Sequence, residues 1–171
     1  PYTAAEYNAE MIETTVIIPA TINDYPVTVI ATGAFRYAPV TEIVLPDSVT
    51  MIDPCAFDFC QHLRAVNIPQ NLEYMGWSAF NSCGSLQKLV IDSPELKIPQ
   101  DAFMTCGITE AFLNVKEIGE SAFQGCTDLK TLHFGESVAV IEANAFYNCR
   151  SLTPPELPAS LRAIGVGAFT R

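Results

Sequence analysis

The chain has 171 residues, of which 49% are hydrophobic and 16% are charged, and its formal net charge is −10. This composition can fill one hydrophobic core and argues against a disordered chain. The excess of acidic residues disfavours non-specific binding to nucleic acids or anionic lipids, because such binding relies on Lys and Arg. No apolar run approaches the roughly 18 residues that a membrane-spanning helix needs.

No charged-then-apolar signal peptide opens the chain. Because the sequence begins at Pro1 without a methionine, we expect it to be part of a longer protein whose targeting segment is not in this chain. Residues 1–15 are polar and contain Tyr2 and Tyr7, so they are interpreted either as an N-terminal cap or as a loose end. Residues 16–171 are predicted to form one domain of about seven repeats.

An Ala-Phe dipeptide recurs along the chain at intervals of 20 to 23 residues. Its copies are Ala34-Phe35, Ala56-Phe57, Ala79-Phe80, Ala102-Phe103, Ala122-Phe123, Ala145-Phe146 and Ala168-Phe169. A period in this range indicates stacked supersecondary units, each of which needs its neighbours to bury its apolar face.

Other apolar residues keep the same phase as the dipeptide. Five residues before each phenylalanine stand Ile30, Ile52, Met75, Ile98, Ile118, Ile141 and Ile164. Eight before it the residue is again apolar, except at Glu95, where Leu96 has slipped by one position. We therefore assign the in-phase residues to the core.

Each unit is predicted to contain one short strand and one short helical turn. Val66-Asn67-Ile68 alternates with period two, and Pro69 then ends the pairing run because proline has no N–H to donate. Ser78 precedes Ala79-Phe80, and side chains of its type accept hydrogen bonds at the start of a helical turn. Parallel strands need a crossover of a dozen or more residues, which this period supplies. The expected fold is an α/β-type repeat solenoid with a curved parallel sheet and short helical or 3-10 turns opposite it.

Two units deviate from the pattern. The first carries extra residues between Pro19 and Ala34, which fit a small projecting hairpin or loop. The fifth is the shortest, and it contains an out-of-phase Ala111-Phe112. Phe112 is expected to point outward if its two neighbours point into the core.

At this level of detail the units resemble BspA-type leucine-rich repeats, whose pattern is roughly L-x-x-I-x-I-P-x-x-V-x-x-I-G-x-x-A-F-x-x-C. The resemblance covers residues 16–171. It implies a right-handed leucine-rich-repeat solenoid of the kind found in surface or secreted proteins of bacteria and some protists. It also implies a role in adhesion to host matrix proteins or to other cells.

Five of the six cysteines stand three residues after a repeat phenylalanine: Cys60, Cys83, Cys106, Cys126 and Cys149. The first copy has Ala38 in this slot, so the slot favours a small apolar side chain and predicts a ladder of buried thiols. Disulfides between neighbouring units remain an alternative, because adjacent repeats would bring the Cα atoms of these cysteines within bonding range of a disulfide. A metal site is disfavoured, because there is no C-x-x-C pair and His62 and His133 have no in-phase partners. Cys55 lies outside the ladder, and a nucleophilic role for it would need a base such as His62.

The outward face of the predicted sheet is the candidate binding surface, because solenoids present a continuous concave strip there. The residues assigned to the site are Glu42, Val44, Asn67, Lys88, Val90, Glu110, Phe112 and His133. Its apolar members suggest an interaction surface, whereas valine at these positions also fits simple strand propensity. No catalytic motif, metal or cofactor is predicted.

The sequence therefore favours a non-enzymatic module of a cell-surface or secreted protein that binds a protein or peptide, such as a host matrix protein. Two alternatives remain at this stage. One is a structural spacer, and the other is an intracellular scaffold, which six reduced cysteines would suit.

Overall fold

The computed structural model describes residues 14–171, which form a solenoid of parallel β-strands. The segment predicted as a cap or loose end, residues 1–15, lies outside the described residues except for its last two. Each full turn of the solenoid passes through a first sheet, a second sheet and a turn that carries the Ala-Phe dipeptide. We call the series of these turns the turn edge.

The first sheet lies where the sequence predicted the strands. It is formed by β1 (Thr15–Ile17), β5 (Glu42–Val44), β7 (Ala65–Val66), β9 (Lys88–Asp92), β11 (Glu110–Asn114) and β13 (Thr131–Phe134). All of its pairings are parallel, in the orders β1-β5-β7 and β9-β11-β13. The predicted parallel arrangement is thereby confirmed.

A second sheet of two-residue strands was not predicted. Its members are β4 (Val29–Ile30), β6 (Met51–Ile52), β8 (Tyr74–Met75), β10 (Lys97–Ile98), β12 (Glu117–Ile118), β14 (Val140–Ile141) and β15 (Ala163–Ile164). Most units therefore have two strands, where we expected one. The glycine after several of these strands allows close packing, since a Cβ on Gly76 would lie 2.2 Å from the Pro54 nitrogen.

The prediction of helical turns is wrong: residues 14–171 contain no helix, so the fold is all-β and not of α/β type. The residue before each Ala-Phe is in the left-handed region, with φ between 52° and 70° in all seven units. These residues are Gly33, Cys55, Ser78, Asp101, Ser121, Asn144 and Gly167. Asn, Asp and Gly tolerate this conformation well, and the same residue types also cap helices. The sequence signal was therefore ambiguous, and the tight turn is what the chain forms.

Backbone hydrogen bonds and aromatic stacking join the units along the turn edge. The Phe57 N–H donates to the Ala79 carbonyl at 2.7 Å, and the Phe80 N–H donates to the Ala102 carbonyl at 2.8 Å. The rings of successive repeat phenylalanines stack, with centroids 4.7 to 5.3 Å apart. Five of these rings are buried, so they form a continuous stack through the hydrophobic core.

Most in-phase residues are buried, as predicted. Leu96 takes the core position while Glu95 lies at the surface beside Lys116, which confirms the slipped register. Two in-phase residues of the third unit, Val66 and Ile68, are only partly buried. In the last unit Ile164 is about half exposed, because no described unit packs on it.

The insertion after Pro19 forms the predicted hairpin. Its strands are β2 (Thr21–Ile22) and β3 (Tyr25–Pro26), which pair antiparallel. Asn23 and Asp24 between them both have positive φ, as in the two-residue turns that match strand twist. The Val27 N–H donates to the Ala20 carbonyl at 2.9 Å and closes the base of the hairpin.

Candidate functional site

The first sheet turns two rows of side chains outward. The strand registers align Ile17 with Val44, and they align Val90 with Phe112 and His133. The other row holds polar and charged groups, with Lys88 aligned to Glu110. All eight residues assigned to the site therefore lie on this one face, which we call the strip. Glu42 and Val44 belong to β5, Asn67 directly follows β7, and the other five belong to the β9-β11-β13 half.

The apolar members of the strip face solvent to different degrees. Val90 is 61% exposed and Val44 is 36% exposed. Phe112 is partly buried, whereas Ala111 and Leu113 on either side of it are fully buried. The expectation that Phe112 points away from the core is thereby confirmed. These side chains form an apolar row that crosses the strands.

The charged members of the strip interact with one another. Lys88 Nζ lies 3.2 Å from Glu110 Oε2, and both side chains are exposed. The Thr15 hydroxyl donates to Glu42 Oε2 at 3.0 Å. Exposed pairs of this kind stabilise the fold little, so these groups stay available to a partner.

Asn67 has a structural role within the strip. Its Nδ2 donates to the Leu45 carbonyl at 2.8 Å, and its Oδ1 accepts from the Leu45 N–H at 2.7 Å. The side chain thus bonds to the neighbouring strand just beyond the last paired residue, Val66. Asn67 is therefore committed to holding β7 against β5.

The first sheet is interrupted between the third and fourth units. β7 pairs with β5, β9 pairs with β11, and within residues 14–171 β7 and β9 do not pair with each other. The second sheet divides at the same boundary, between β8 and β10. The turn edge nevertheless continues across it, since the Phe80 N–H bonds to Ala102 and the rings of Phe80 and Phe103 stack at 5.2 Å.

A groove of about 700 Å³ lies on the strip at this interruption. Val66 and Ile68 contribute to its lining, which explains why these two in-phase residues are only partly buried. Val44 and Val90 also line it, together with Lys88. A volume of this size lies within the range of ligand-binding pockets. Sequence reasoning missed the groove, because the third unit follows the repeat pattern closely.

The second sheet presents an outward face that sequence reasoning also missed. Val29, Met51 and Tyr74 are aligned in register there and each is about 40% exposed. Further along, Lys97 Nζ lies 2.7 Å from Glu117 Oε2, and this hydrogen bond raises the pKa of Lys97. Two-residue strands are too short to show period-two alternation, so this row had no recognisable signal.

The thiol ladder has a hydrogen-bonding role in addition to its packing role. Each in-phase thiol donates to the carbonyl of the repeat phenylalanine of the preceding unit, as Cys126 Sγ does to Phe103 at 3.1 Å. In the first described unit the slot holds Ala38, which has no thiol to donate. Burial raises the pKa of Cys60 to about 11 and that of Cys149 to about 12. All five are buried free thiols, as predicted.

Cys55 differs from the ladder thiols, since it is partly exposed and has a φ of 56°. Burial and the nearby Asp58 raise the pKa of this thiol. A raised pKa leaves less thiolate at neutral pH, so the environment does not activate Cys55 as a nucleophile.

Asp58 is the one carboxylate among the buried residues of the described chain. It accepts from Arg36 Nε and from Asn81 Nδ2, both at 2.9 Å. These two bonds place it in a structural network that joins three consecutive units.

Within residues 14–171 no group of His, Cys, Asp and Glu is arranged to hold a metal ion. In the same part of the chain there is also no helix that could cross a membrane.

Comparison with known families accounts for this architecture. A profile described as a BspA type leucine rich repeat region matches residues 28–113 and 96–171, in 6 copies. The chain belongs to the BspA-type leucine-rich repeat family. The resemblance of its repeat pattern is thereby confirmed, and leucine-rich repeats are a fold commonly used for protein–protein interaction.

Solved structures of other leucine-rich repeat proteins have the same fold. A leucine-rich repeat protein of T. pallidum is 34% identical with a TM-score of 0.83, over 91% of this chain and 74% of that one. A leucine-rich cell surface protein of Faecalibacterium prausnitzii is 28% identical with a TM-score of 0.71, over 92% of this chain and 45% of its own. One from Eubacterium ventriosum, 23% identical, shares the fold with a TM-score of 0.80, over 93% of this chain and 43% of its own. The chain thus spans less than half of the last two proteins. Among curated proteins none matches it.

Proposed function

We propose that this chain is a non-enzymatic protein-binding or adhesion module of a cell-surface or secreted protein, and that it binds through the strip. The observation that carries the proposal is the apolar row of the exposed Val44 and Val90 and the partly buried Phe112, beside a row of polar and charged side chains. Interfaces combine an apolar centre with a polar rim in this way. Exposed apolar patches on a soluble domain tend to mark interaction sites.

The charge distribution supports the same face. The chain carries a net charge of −10, yet the groove on the strip is lined by residues of both signs, namely Arg64, Lys88, Glu42 and Asp92. Charged groups across a protein interface are arranged in complementary pairs, which fix the register of the partner and disfavour wrong partners. The strip therefore suits a protein or peptide partner better than a strongly charged ligand.

Surface localisation is supported by relatives of the chain. The similar structure from Faecalibacterium prausnitzii is described as that of a leucine rich cell surface protein. An intracellular scaffold is the second candidate, and the six free thiols favour it, because thiols persist in reducing compartments.

The proposal is tested by binding measurements on purified chain against a panel of immobilised extracellular matrix proteins and against whole cells. Val90→Glu places a charge in the apolar row, and Val166→Glu makes the same change at an exposed site on the turn edge. We expect Val90→Glu to weaken binding by about tenfold or more, since a buried unpaired charge costs more than 1.4 kcal/mol. Val166→Glu should bind like the natural chain. Equal binding by both variants would reject the strip as the site, and no binding to any surface would favour a spacer.

A further inference from the structure

The backbone at the interruption of the first sheet has hydrogen-bonding groups with no partner strand. In a parallel sheet, successive residues direct their N–H and C=O groups to opposite sides of the strand. Just before β9 the Gln87 carbonyl accepts from the Thr109 N–H, and just after it the Ser93 N–H donates to the Asn114 carbonyl. Because bonding residues alternate along a strand, the odd-numbered residues of β9 bond to β11. Lys88 and Val90 consequently direct their N–H and C=O groups toward β7.

The opposite side of the interruption is arranged in the same way. The Val44 carbonyl of β5 accepts from Ile18, so Val44 bonds toward β1 and Ile43 bonds toward β7. Because Ile43 is in register with Val66, its bonds go to Ala65 and Asn67 on either side of Val66. Val66 therefore directs its N–H and C=O groups toward β9, as Ile68 does its N–H. Within residues 14–171 none of these groups of Val66, Ile68, Lys88 and Val90 forms a backbone hydrogen bond across the interruption.

Two facing strand edges with unpaired groups enclose a groove with an apolar lining. The partly buried side chains of Val66 and Ile68 lie along it, and Val90 stands at its side. An edge with free N–H and C=O groups is a template for another strand. Backbone pairing supplies affinity in such complexes, and pockets for alternate side chains supply specificity.

We infer that the interruption between β7 and β9 is a binding site for an extended peptide segment of a partner protein, which adds as a strand to the first sheet. This inference rests on the proposed function and names its partner chemistry. The added strand pairs with Lys88 and Val90 of β9. Every second side chain of the segment points into the groove, where Val66 and Ile68 favour an apolar group.

An amphipathic helix lying across the apolar row is the competing occupant. A helix satisfies its own backbone groups, so it would leave the groups of Val66, Lys88 and Val90 without partners. The unpaired edges therefore favour an extended segment.

The test begins with selection of random displayed heptapeptides on the full 171-residue chain. The enriched peptides are synthesised, and each is also made with a single N-methyl group at every position in turn. Strand addition predicts that methylation at alternate positions weakens binding by about tenfold, because each such methyl group removes one donor and blocks the edge. The intervening positions should change the affinity by less than about twofold.

Two variants of the chain test the hydrogen bond between the peptide and the Val90 N–H by changing the chain in place of the peptide. Val90→Pro removes the N–H that faces the groove, and it leaves the pairing of Leu89 and Ile91 with β11 in place. Val90→Ala shortens the side chain and keeps the N–H. We expect about a tenfold loss of affinity for Val90→Pro and less than about threefold for Val90→Ala. Circular dichroism and the unfolding midpoint of each variant confirm that it is folded.

The outcomes separate this inference from the proposed function. If Val90→Glu abolishes binding but sensitivity to methylation recurs every three or four positions, or is absent, the strip binds a partner and strand addition is rejected. If no peptide is enriched, or if Val90→Pro binds as well as Val90→Ala, strand addition is also rejected. If Val90→Glu has no effect on any selected peptide, both proposals fail. Concentration-dependent dimers that Val90→Pro dissociates would assign the interruption to a second copy of the chain and overturn the inference.

Discussion

The turn edge and the first sheet differ in how they are bonded across the boundary between the third and fourth units. Along the turn edge that boundary is crossed by the Phe80–Phe103 ring stack, by the Phe80 N–H bond to Ala102, and by the Cys106 thiol bond to Phe80. In the first sheet the strand pairing stops there. The comparison indicates that continuity of the solenoid depends on the turn edge, because ring stacking and the backbone bond recur there at every step and the thiol bond recurs at every step but the last. The strand pairing and the outward side chains of the first sheet can then change while the units stay stacked through the turn edge.

The largest expected effect comes from removing a ring in the middle of the turn edge. Phe103→Ala should lower the free energy of unfolding by about 3–5 kcal/mol, since the ring is fully buried between two others. Phe112→Ala on the first sheet is the matched control, and we expect it to cost about 1 kcal/mol or less. Urea denaturation measures both. Comparable losses for the two variants would contradict the division of roles between the two regions.

Removal of one ladder thiol tests the hydrogen bonds of the turn edge separately from its rings. Cys126→Ala removes the thiol donor of the Phe103 carbonyl, which keeps only the longer bond from the Cys106 N–H at 3.4 Å. It should lower the free energy of unfolding by about 1 kcal/mol. Cys126→Ser restores a donor and should recover part of this loss. If serine is no better than alanine, packing alone explains why cysteine occupies the slot.

Alkaline pH should weaken the turn edge through the same thiols. Burial raises the pKa of Cys60 from the ordinary 9.0 to about 11 and that of Cys149 to about 12. Above pH 9 these thiols ionise in the unfolded chain while they stay neutral in the folded one, so their contribution is complete below pH 9 and is lost as the pH rises toward 11 and 12. Denaturation midpoints measured between pH 8 and 11 should fall. In a Cys60→Ala/Cys149→Ala variant the fall should be shallower, and an unchanged slope would remove the thiols as its cause.

The smallest expected effect is a gain in stability at Cys55. Its left-handed φ of 56° is unfavourable for cysteine, whereas Asn144 occupies the equivalent position of another unit at the same φ. Cys55→Asn should raise the free energy of unfolding by about 0.5–1 kcal/mol. Thermal unfolding checks this, and a destabilised variant would show that the Cys55 side chain makes contacts that outweigh the strain.

Much of the fold follows from periodicity alone. The Ala-Phe phase predicts the buried phenylalanines, the slip at Glu95 and Leu96, and the outward direction of Phe112, because residues in phase occupy equivalent places in stacked units. It does not predict the second sheet, since strands such as Met51–Ile52 are too short to alternate. It misassigns the turns, because Ser78 and its equivalents suit both a helix cap and a left-handed residue. Gly33 and Gly167 in the same slot were the signal for the latter.

The candidate site was only partly predictable. Strand alternation places the eight residues of the strip on one face, and the registers of β1-β5 and β9-β11-β13 agree with this for the seven that lie in strands. The interruption between β7 and β9 has no signature, because the third unit has an apolar residue at every in-phase position of its strand. Whether the strands of two adjacent units form backbone hydrogen bonds depends on how closely their backbones stack. The type of a single residue does not indicate this distance.

Amide hydrogen exchange on the free chain tests the central comparison most directly. Exchange rates of single amides should show Phe80 and Ser82 of the turn edge protected, since both donate across the boundary at 2.8 Å. On β9 the Leu89 and Ile91 amides should be protected, while the Lys88 and Val90 amides should exchange faster by about a hundredfold or more, because they have no backbone partner. Equal protection of all four β9 amides would show that the first sheet is continuous there and would contradict the account.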